Sequence, residues 1–328
     1  MPTLNTQYTA PWWLPGGHSQ TIYSALFGRT NFPVYQRERW STPDGDFIDL
    51  DWVNNDADKQ SAQLASPLLV LFHGLEGSSN SHYARALMSA VTTWGWSGAV
   101  PHFRSCSGEM NLAPRFYHSG DSGEVAWILH ALHQRYPQRP LYAVGVSLGG
   151  NALLRFLGEQ TQAASFIRAT AAISVPLDLE ASGKTLSAPT NFVYTYKFLR
   201  TLKAKSLAKL QQYPDLFDRA AMLSCRTLYD FDNIVTAPLH GYRNTNDYWQ
   251  RASCINILPH ITVPTLLINS LNDPFLPGKY LPKKHTVSTS VLLEQPKQGG
   301  HVGFSQGYFP GNFNWLAQRL YYFFKSIA

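Results

Sequence analysis

From residue 67 onward, short apolar runs alternate with longer stretches in which apolar residues recur at a helical spacing. Runs of about four to eight apolar residues are typical of strands buried on both faces, and a period of about 3.6 residues is typical of surface helices. The pattern predicts strands at 68–72, 97–103, 141–146, 169–175, 263–270 and 290–294, and helices at 81–93, 123–136, 151–160 and 312–327. This alternation predicts an α/β fold with a mostly parallel central sheet and helices on both faces.

The N-terminal part of the chain has a different pattern. Its beginning is rich in Pro, Gly and Trp, and we expect an irregular segment there. Residues 35–40 and 47–53 are strand-like and flank Thr-Pro-Asp-Gly-Asp, a sequence typical of a tight turn. We therefore expect an N-terminal antiparallel hairpin ahead of the parallel strands.

The strand pattern disappears between residues 183 and 262. This stretch is rich in aromatic residues, favours helices and is too long for a simple connection between strands. We interpret 183–262 as a helical lid inserted into a single domain that spans residues 1–328, because chains of this length commonly form one α/β domain with an insertion.

The composition excludes several classes of protein. Hydrophobic residues make up 44% of the chain and charged residues 15%, which is enough apolar material for a large core and unlike a disordered protein. The net charge of +6 is scattered along the chain, which argues against nucleic-acid binding. Three cysteines without metal-binding spacing argue against a disulfide framework. We expect a cytoplasmic protein, because the sequence shows neither a signal peptide nor a membrane-spanning run.

The strongest local signal is Gly-Val-Ser-Leu-Gly-Gly at residues 145–150. It follows a predicted strand and precedes a predicted helix, which is the context of a nucleophile elbow. The serine of such a turn is strained, and glycine is needed beside it because side chains there would clash with the strand and the helix. Ser147 is therefore our candidate nucleophile. The N-terminus of the following helix points its positive dipole end at this serine, where it can stabilise an oxyanion.

A serine nucleophile needs a histidine to take its proton and a carboxylate to orient that histidine. After an elbow of this kind, the order along the chain is the acid and then the histidine. Asp273 follows the predicted strand at 263–270, and His301 lies in a Gly-rich loop after the strand at 290–294. Both residues stand where a catalytic triad needs them.

Other residues compete for these two roles. Asp232 and Asp247 are alternative acids, but both lie inside the predicted lid instead of after a core strand. His285 is an alternative base, yet it follows a Lys-Lys pair in a polar stretch and precedes the last predicted strand. We rank all three below Asp273 and His301.

Attack of serine on a carbonyl carbon creates a negative oxygen that two backbone N–H groups can hold. Leu148, the residue after the nucleophile, supplies one of them. The predicted strand at 68–72 is followed by His-Gly-Leu, and we expect the amide of Leu75 to supply the other. For His73 we expect a structural role, as a hydrogen-bonding partner of its own loop.

Eight segments spread over nearly the whole chain carry a resemblance to a known family. They lie at 11–21, 72–78, 102–109, 117–121, 145–151, 236–241, 272–275 and 299–304, and include Pro-Trp-Trp-Leu-Pro-Gly-Gly-His-Ser-Gln-Thr, Gly-Val-Ser-Leu-Gly-Gly-Asn and Gly-Gly-His-Val-Gly-Phe. The chain thereby resembles the YheT-like branch of the α/β-hydrolase superfamily, also called the AB-hydrolase 4 family. The resemblance implies an α/β-hydrolase fold and places Ser147, Asp273 and His301 on the family's triad positions.

Two positions depart from the family pattern. Ser105 stands where the family usually has Gly, and Met110 stands where it usually has Pro. These departures affect a loop beside the expected pocket and leave the triad untouched. The family is related to lipid-active esterases with an N-terminal membrane anchor. Because we find no such anchor, we expect any lipid or membrane contact to be peripheral, through the lid.

Together these observations predict a serine carboxylesterase that cleaves short- or medium-chain acyl esters, including lipid-derived ones, through an acyl-enzyme. Its partner is a small-molecule acyl ester. We expect no cofactor and no metal, since His130 and His133 share a helix face but lack a third ligand. A thioesterase or amidase with the same triad is an alternative, as is a non-catalytic binding protein with a hydrolase fold. The sequence leaves the oligomeric state open.

Overall fold

The computed structural model describes residues 8–28, 33–54 and 66–327, so the two ends of the predicted single domain, residues 1–7 and Ala328, lie outside the described residues. A sheet of eight strands forms the centre of the described chain. The strands are β1 (Gln36–Ser41), β2 (Phe47–Val53), β3 (Leu68–Phe72), β4 (Ser97–Pro101), β5 (Leu141–Val146), β6 (Ile167–Ile173), β7 (Thr265–Ile268) and β8 (Val291–Glu294).

The order of the strands across the sheet is β1-β2-β4-β3-β5-β6-β7-β8. β1 and β2 form an antiparallel hairpin, and β2 also pairs antiparallel with β4. The remaining pairs, from β4 with β3 to β7 with β8, are parallel. The predicted mostly parallel sheet with an N-terminal antiparallel hairpin is therefore confirmed.

Helices surround this sheet. The α-helices are α1 (Gly16–Phe27), α2 (His82–Thr93), α3 (Ser122–Arg135), α4 (Leu148–Gln160), α5 (Leu179–Leu186), α6 (Phe192–Gln212), α7 (Arg219–Ser224), α8 (Leu228–Phe231), α9 (Ala237–Leu239), α10 (Thr245–Ala252) and α11 (Asn314–Ile327). Among the helices of the described residues, none combines the length and the apolar character that crossing a membrane requires.

The side chains of β3 show why both faces of the sheet are covered. Successive residues of a strand point to opposite faces. Leu68, Val70 and Phe72 belong to one buried cluster, to which α3 and α4 contribute, whereas Leu69 and Leu71 belong to a second cluster closed by α2 and α11. Burial on both faces accounts for the continuous apolar runs in the sequence.

The fully described stretch between β6 and β7, which we call the insertion, is helical and contains α5 to α10. Leu186 and Tyr194, on α5 and α6, pack with Phe275, which lies on the loop after β7. This contact places the insertion against the carboxyl edge of the sheet. In a parallel sheet the loops at that edge carry the residues that follow each strand, so the insertion faces them.

The prediction of an irregular N-terminal segment is wrong for residues 16–27, which form α1. The buried residues of this helix are Gln20, Thr21 and Ser24, whereas Leu26 and Phe27 are exposed. Because polar side chains occupy the buried face, the hydrophobic period that marks an amphipathic helix is missing from the sequence. The helix is stabilised by hydrogen bonds to loops instead of by an apolar face.

Candidate active site

Ser147 lies at the turn between β5 and α4. Its backbone has φ +52° and ψ −121°, a conformation that L-residues rarely adopt. Hydrogen bonds hold it there, because the Ser147 amide donates to Ile173 O on β6 (2.9 Å) and the Asn151 amide donates to Ser147 O (3.0 Å). The turn presents the Ser147 hydroxyl to a pocket between the sheet edge and the insertion.

Two glycines permit this turn. A Cβ atom at Gly145 would lie 2.6 Å from Gly149 O, and a Cβ atom at Gly149 would lie 2.5 Å from Phe72 O. Both distances are far below van der Waals contact, so a larger residue would force the strand and the helix apart. The requirement for glycine inferred from the sequence therefore has a specific steric cause.

His301 connects Ser147 with Asp273. Its Nε2 lies 3.0 Å from Ser147 Oγ, and its Nδ1 lies 2.9 Å from Asp273 Oδ2. With the ring proton on Nδ1, His301 donates to the carboxylate and accepts from the serine hydroxyl. Phe275 stacks on the ring with 4.0 Å between centroids, which restricts its rotation. The structure thus brings the three residues singled out in the sequence into one line of hydrogen bonds.

Asp273 is held by its own loop, and two of the three alternative residues, Asp247 and His285, lie outside the pocket, whereas Asp232 lines it. Its Oδ1 accepts from the Phe275 amide (2.8 Å), and only 3% of the residue is exposed. Asp247 is paired with Arg251 on α10. His285 is exposed on a short 3₁₀ helix.

Helix α1 holds the loops of the acid and the histidine together, a role that the sequence analysis missed. Thr21 Oγ1 accepts a hydrogen bond from the His301 amide (2.8 Å). Gln20 Oε1 accepts from the Gly299 amide (2.8 Å) and from Asn272 Nδ2 (3.1 Å). The available signal was the Gly-Gly-His-Ser-Gln-Thr motif, which belongs to one of the segments that resemble the family.

The loop after β3 passes close to Ser147. A Cβ atom at the neighbouring Gly74 would lie 3.1 Å from Ser147 Cβ. Leu75 and Leu148 both line the pocket into which Ser147 points. Within the described residues, neither the Leu75 amide nor the Leu148 amide donates an internal hydrogen bond. Both N–H groups are therefore available to an oxygen bound beside the serine.

Two tyrosines fix the amides on either side of Leu75. The Gly74 amide donates to Tyr83 Oη (2.8 Å), and the Glu76 amide donates to Tyr117 Oη (2.7 Å). The backbone of this loop therefore has a defined orientation. The amides before and after Leu75 are hydrogen-bonded to tyrosine hydroxyls, and the Leu75 amide between them is not.

His73 anchors the same loop to the end of β4. The Phe103 amide donates to His73 Nε2 (3.0 Å), so the ring proton is on Nδ1, which donates to Gly74 O (2.8 Å). The ring is fully buried, and burial together with the nearby His102 lowers the pKa of His73 to about 3. These contacts require the neutral ring.

The pocket in front of Ser147 is mainly apolar. Its apolar lining includes Leu179, Leu186, Phe198, Leu202, Leu228 and Phe231 from the insertion.

A charged pair lies on the wall of the pocket, where Lys205 Nζ on α6 donates to Glu76 Oε1 (2.8 Å). Burial lowers the pKa of the Lys205 ammonium group, but the neighbouring Cys106 and Glu76 have the larger effect, so the pKa is raised overall. Burial raises the pKa of the Cys106 thiol to about 11, so this thiol stays protonated at neutral pH.

Ser105, one of the two departures from the family pattern, has a φ of +62°. This left-handed conformation favours glycine, the residue that the family usually has here. The Ser105 hydroxyl donates to Asn111 Oδ1 (2.6 Å) and accepts from the Asn111 amide (3.2 Å). These two hydrogen bonds stabilise the loop next to Cys106 despite the strained backbone.

The described part of the chain holds no cluster of three or more His, Cys, Asp or Glu side chains that could bind a metal ion. His130 and His133, which share a face of α3, pack on the ring of Phe166 at centroid distances of 4.6 and 4.9 Å. Their contacts are those of structural histidines.

Comparison with known proteins agrees with the resemblance found in the sequence. A family model described as the alpha/beta hydrolase fold matches residues 67–308. The provisionally named esterase YheT of Escherichia coli is 39% identical, over 92% of this chain and 88% of that protein. Phospholipase ABHD3 of Homo sapiens is 27% identical, over 100% of this chain and 80% of that protein. The solved structure of Pyrococcus furiosus esterase Pf2001 matches with a TM-score of 0.56 and 18% identity, over 89% of this chain and 92% of that chain, which supports the fold.

The buried state of His73 predicts a specific acid sensitivity. A histidine in the unfolded chain binds a proton near pH 6.5, whereas folded His73 stays neutral down to about pH 3. Below pH 6.5 the unfolded state therefore binds more protons, and stability falls as the pH falls, by up to about 1.4 kcal/mol per pH unit. Between pH 7 and 5, the free energy of unfolding of the wild type should fall by about 2 kcal/mol more than that of His73→Gln.

Urea denaturation at the two pH values measures this difference. Comparing how the stability of each protein changes with pH removes any loss of stability that His73→Gln causes equally at both pH values. Equal falls in the two proteins would contradict a neutral, buried His73.

Proposed function

Because the chain belongs to the YheT-like branch of the α/β-hydrolase family and is an esterase-type hydrolase, we propose that it is a serine carboxylesterase that acts through an acyl-enzyme. Ser147 is the nucleophile, His301 the general base and Asp273 the acid that orients the base. The observation that carries the proposal is the line of hydrogen bonds from Ser147 through His301 to Asp273, with lengths of 3.0 and 2.9 Å.

The first half of the reaction forms the acyl-enzyme. His301 Nε2 takes the Ser147 proton while Oγ attacks the ester carbonyl carbon. Asp273 keeps the imidazole in the required tautomer and stabilises the imidazolium that forms. The carbonyl oxygen becomes negative and binds to the Leu75 and Leu148 amides, at the positive end of the α4 dipole. His301 then donates its proton to the departing alcohol.

The second half releases the acid. A water molecule in the position left by the alcohol gives a proton to His301 Nε2 and attacks the acyl carbon. The same two amides hold the oxyanion again, and the proton returns to Ser147 Oγ as the acid leaves. His301 thus carries every proton of the cycle, between Ser147, the alcohol and water, while the two backbone amides hold the oxyanion.

The composition of the pocket supports an acyl group of short or medium length as its occupant. Leucine and phenylalanine side chains of the insertion line it beside Ser147. Apolar contacts of this kind favour a hydrocarbon chain over a charged peptide. The names of the relatives, an esterase and a phospholipase, agree with an ester substrate that includes lipid-derived molecules.

We also propose that residues 183–262 act as a lid through which the protein contacts lipid surfaces. Phe192, Val193 and Tyr196 at the start of α6 are 65%, 62% and 57% exposed. Lys197 follows them on the same helix. Apolar side chains next to a basic residue are typical of helices that bind at a membrane surface.

Replacement of the nucleophile tests the main proposal. Ser147→Ala should abolish hydrolysis of p-nitrophenyl butyrate, because the variant lacks the hydroxyl that His301 activates. Circular dichroism and the melting temperature should remain those of a folded protein. A fluorophosphonate probe should label the wild type at Ser147, as located by peptide mass spectrometry, and should leave the variant unlabelled. Undiminished turnover by Ser147→Ala would refute the mechanism.

The contact between α1 and the histidine loop predicts that a substitution on α1, outside the triad, lowers activity. Thr21→Val removes the acceptor of the His301 amide while keeping the side-chain shape, and misplacement of the imidazole should lower kcat/KM about tenfold. Thr21→Ser keeps the hydroxyl and should retain most of the activity. Initial rates with p-nitrophenyl butyrate measure both variants. Equal activity in Thr21→Val and wild type would show that this hydrogen bond does not position His301.

The proposed lid surface predicts weaker lipid binding after loss of its apolar side chains. The double substitution Phe192→Ser, Val193→Ser should reduce co-sedimentation with vesicles of phosphatidylcholine and phosphatidylglycerol about tenfold, because less apolar area is buried. Leu292→Ser, at a half-exposed leucine on β8, is the matched control and should bind like the wild type. Equal binding of all three proteins would exclude this surface.

A further inference from the structure

One wall of the pocket carries polar side chains that the proposed triad does not use. Asp232, Thr236 and His240 are spaced four residues apart, on a helical stretch of the insertion and at its end, and all three line the pocket of Ser147. This stretch runs from α8 through a π-helical turn (Asp232–Thr236), in which the Ala237 amide donates to Asp232 O, into α9. Ser182, on α5, lines the same pocket. We call these four residues the polar wall.

Neighbouring side chains fix the geometry of the polar wall. Trp249 Nε1 donates to Asp232 Oδ2 (2.8 Å). The ring of His240 lies against that of His118, with 4.3 Å between centroids. Burial lowers the pKa of both histidines to about 3, so both rings are neutral at pH 7. Each neutral ring therefore offers one hydrogen-bond donor and one acceptor.

Two atoms of the polar wall are buried without a partner. Within the described residues, Ser182 Oγ and His240 Nε2 form no hydrogen bond, and Ser182 is only 4% exposed. Nearly all buried polar atoms in folded proteins have a partner, because an unmade hydrogen bond costs free energy. Substrate groups in the pocket that donate and accept hydrogen bonds would supply the missing partners.

The charges around the polar wall indicate the class of that group. Among the described residues that line the pocket, the one lysine or arginine is Lys205, and Glu76 neutralises it. Arg115, which lies near His118, is paired with Asp121. The polar wall therefore offers no free cation to a phosphate or carboxylate. Neutral donors and acceptors beside a carboxylate suit hydroxyl groups, which both donate and accept.

We propose that the polar wall is a subsite for hydroxyl groups of the substrate, so that the enzyme selects esters with a hydroxylated moiety. The inference rests on the proposed esterase function and specifies its substrate class. The hydroxyl groups can belong to the alcohol, as in a glycerol ester, or to the acyl chain, as in a hydroxy acid.

Two matched substrate pairs test the proposal and distinguish these sources. The alcohol pair is 1-monodecanoylglycerol and propyl decanoate, and the acyl pair is ethyl 10-hydroxydecanoate and ethyl decanoate. For each pair, the ratio of kcat/KM for the hydroxylated ester to that for the plain ester is measured. In the wild type, we expect a ratio of about ten or more for one pair, since each neutral hydrogen bond is worth about three- to tenfold. The pair with the raised ratio identifies the moiety that occupies the polar wall.

Substitutions in the polar wall should lower that ratio. Ser182→Ala, Thr236→Val and His240→Leu each remove hydrogen-bonding atoms and should reduce it about three- to tenfold. Ser224→Ala and Thr93→Val are matched controls at exposed residues outside the pocket, and the ratio should stay at the wild-type value in both. Ser182→Ala removes one atom only, so it tests the proposal even if His240→Leu fails to fold.

Two results would overturn the proposal. One is a ratio close to one for both pairs in the wild type, and the other is a wild-type ratio in all three polar-wall variants. Fluorophosphonate labelling of Ser147 in each protein separates this failure from failure of the proposed function. A labelled, active enzyme without selectivity would refute the subsite alone, whereas an unlabelled wild type would refute the serine mechanism.

Discussion

The whole site depends on one imidazole ring that must meet a hydroxyl on one loop and a carboxylate on another. His301 does so with Nε2 at 3.0 Å from Ser147 and Nδ1 at 2.9 Å from Asp273. The parallel sheet makes this possible because the loops after β5, β7 and β8 leave it at the same edge. Local contacts then complete the placement, with Phe275 stacked on the ring and Thr21 bound to the backbone of His301.

Helix α1 links this edge of the sheet to the insertion. Gln20 and Thr21 hold the acid and histidine loops from one side, through hydrogen bonds to backbone and side-chain groups. On the same helix, His18 Nδ1 lies 3.1 Å from Tyr194 Oη on α6, and Tyr194 packs against Phe275. One short helix with a polar buried face thus touches the triad loops and α6, which lines the pocket. Helix α1 thereby connects the triad loops with α6, which the sheet alone does not connect.

The sequence was sufficient for the elements that bury apolar side chains. The runs at 68–72 and 141–146 coincide with β3 and β5, because both faces of these strands are packed. Ser147, Asp273 and His301 could be singled out because each follows a strand of the sheet. Helix α1 could not be predicted by the same logic, since Gln20 and Thr21 are its buried residues. The polar wall could not be predicted for a related reason: Asp232, considered only as an alternative acid, and His240 lie in an insertion without strands, so the sequence gives no sheet edge from which to place them.

A strained serine, two unoccupied amides and an apolar pocket with one polar wall meet at one edge of the sheet. The central proposal is that Ser147 attacks carbonyl carbon while the Leu75 and Leu148 amides hold the oxygen. The most direct measurement is a crystal structure of the protein after reaction with diethyl p-nitrophenyl phosphate. The account predicts a phosphoryl group bonded to Ser147 Oγ, with its oxygen within hydrogen-bonding distance of both amides. An unmodified Ser147, or an adduct whose oxygen points away from residues 75 and 148, would contradict it.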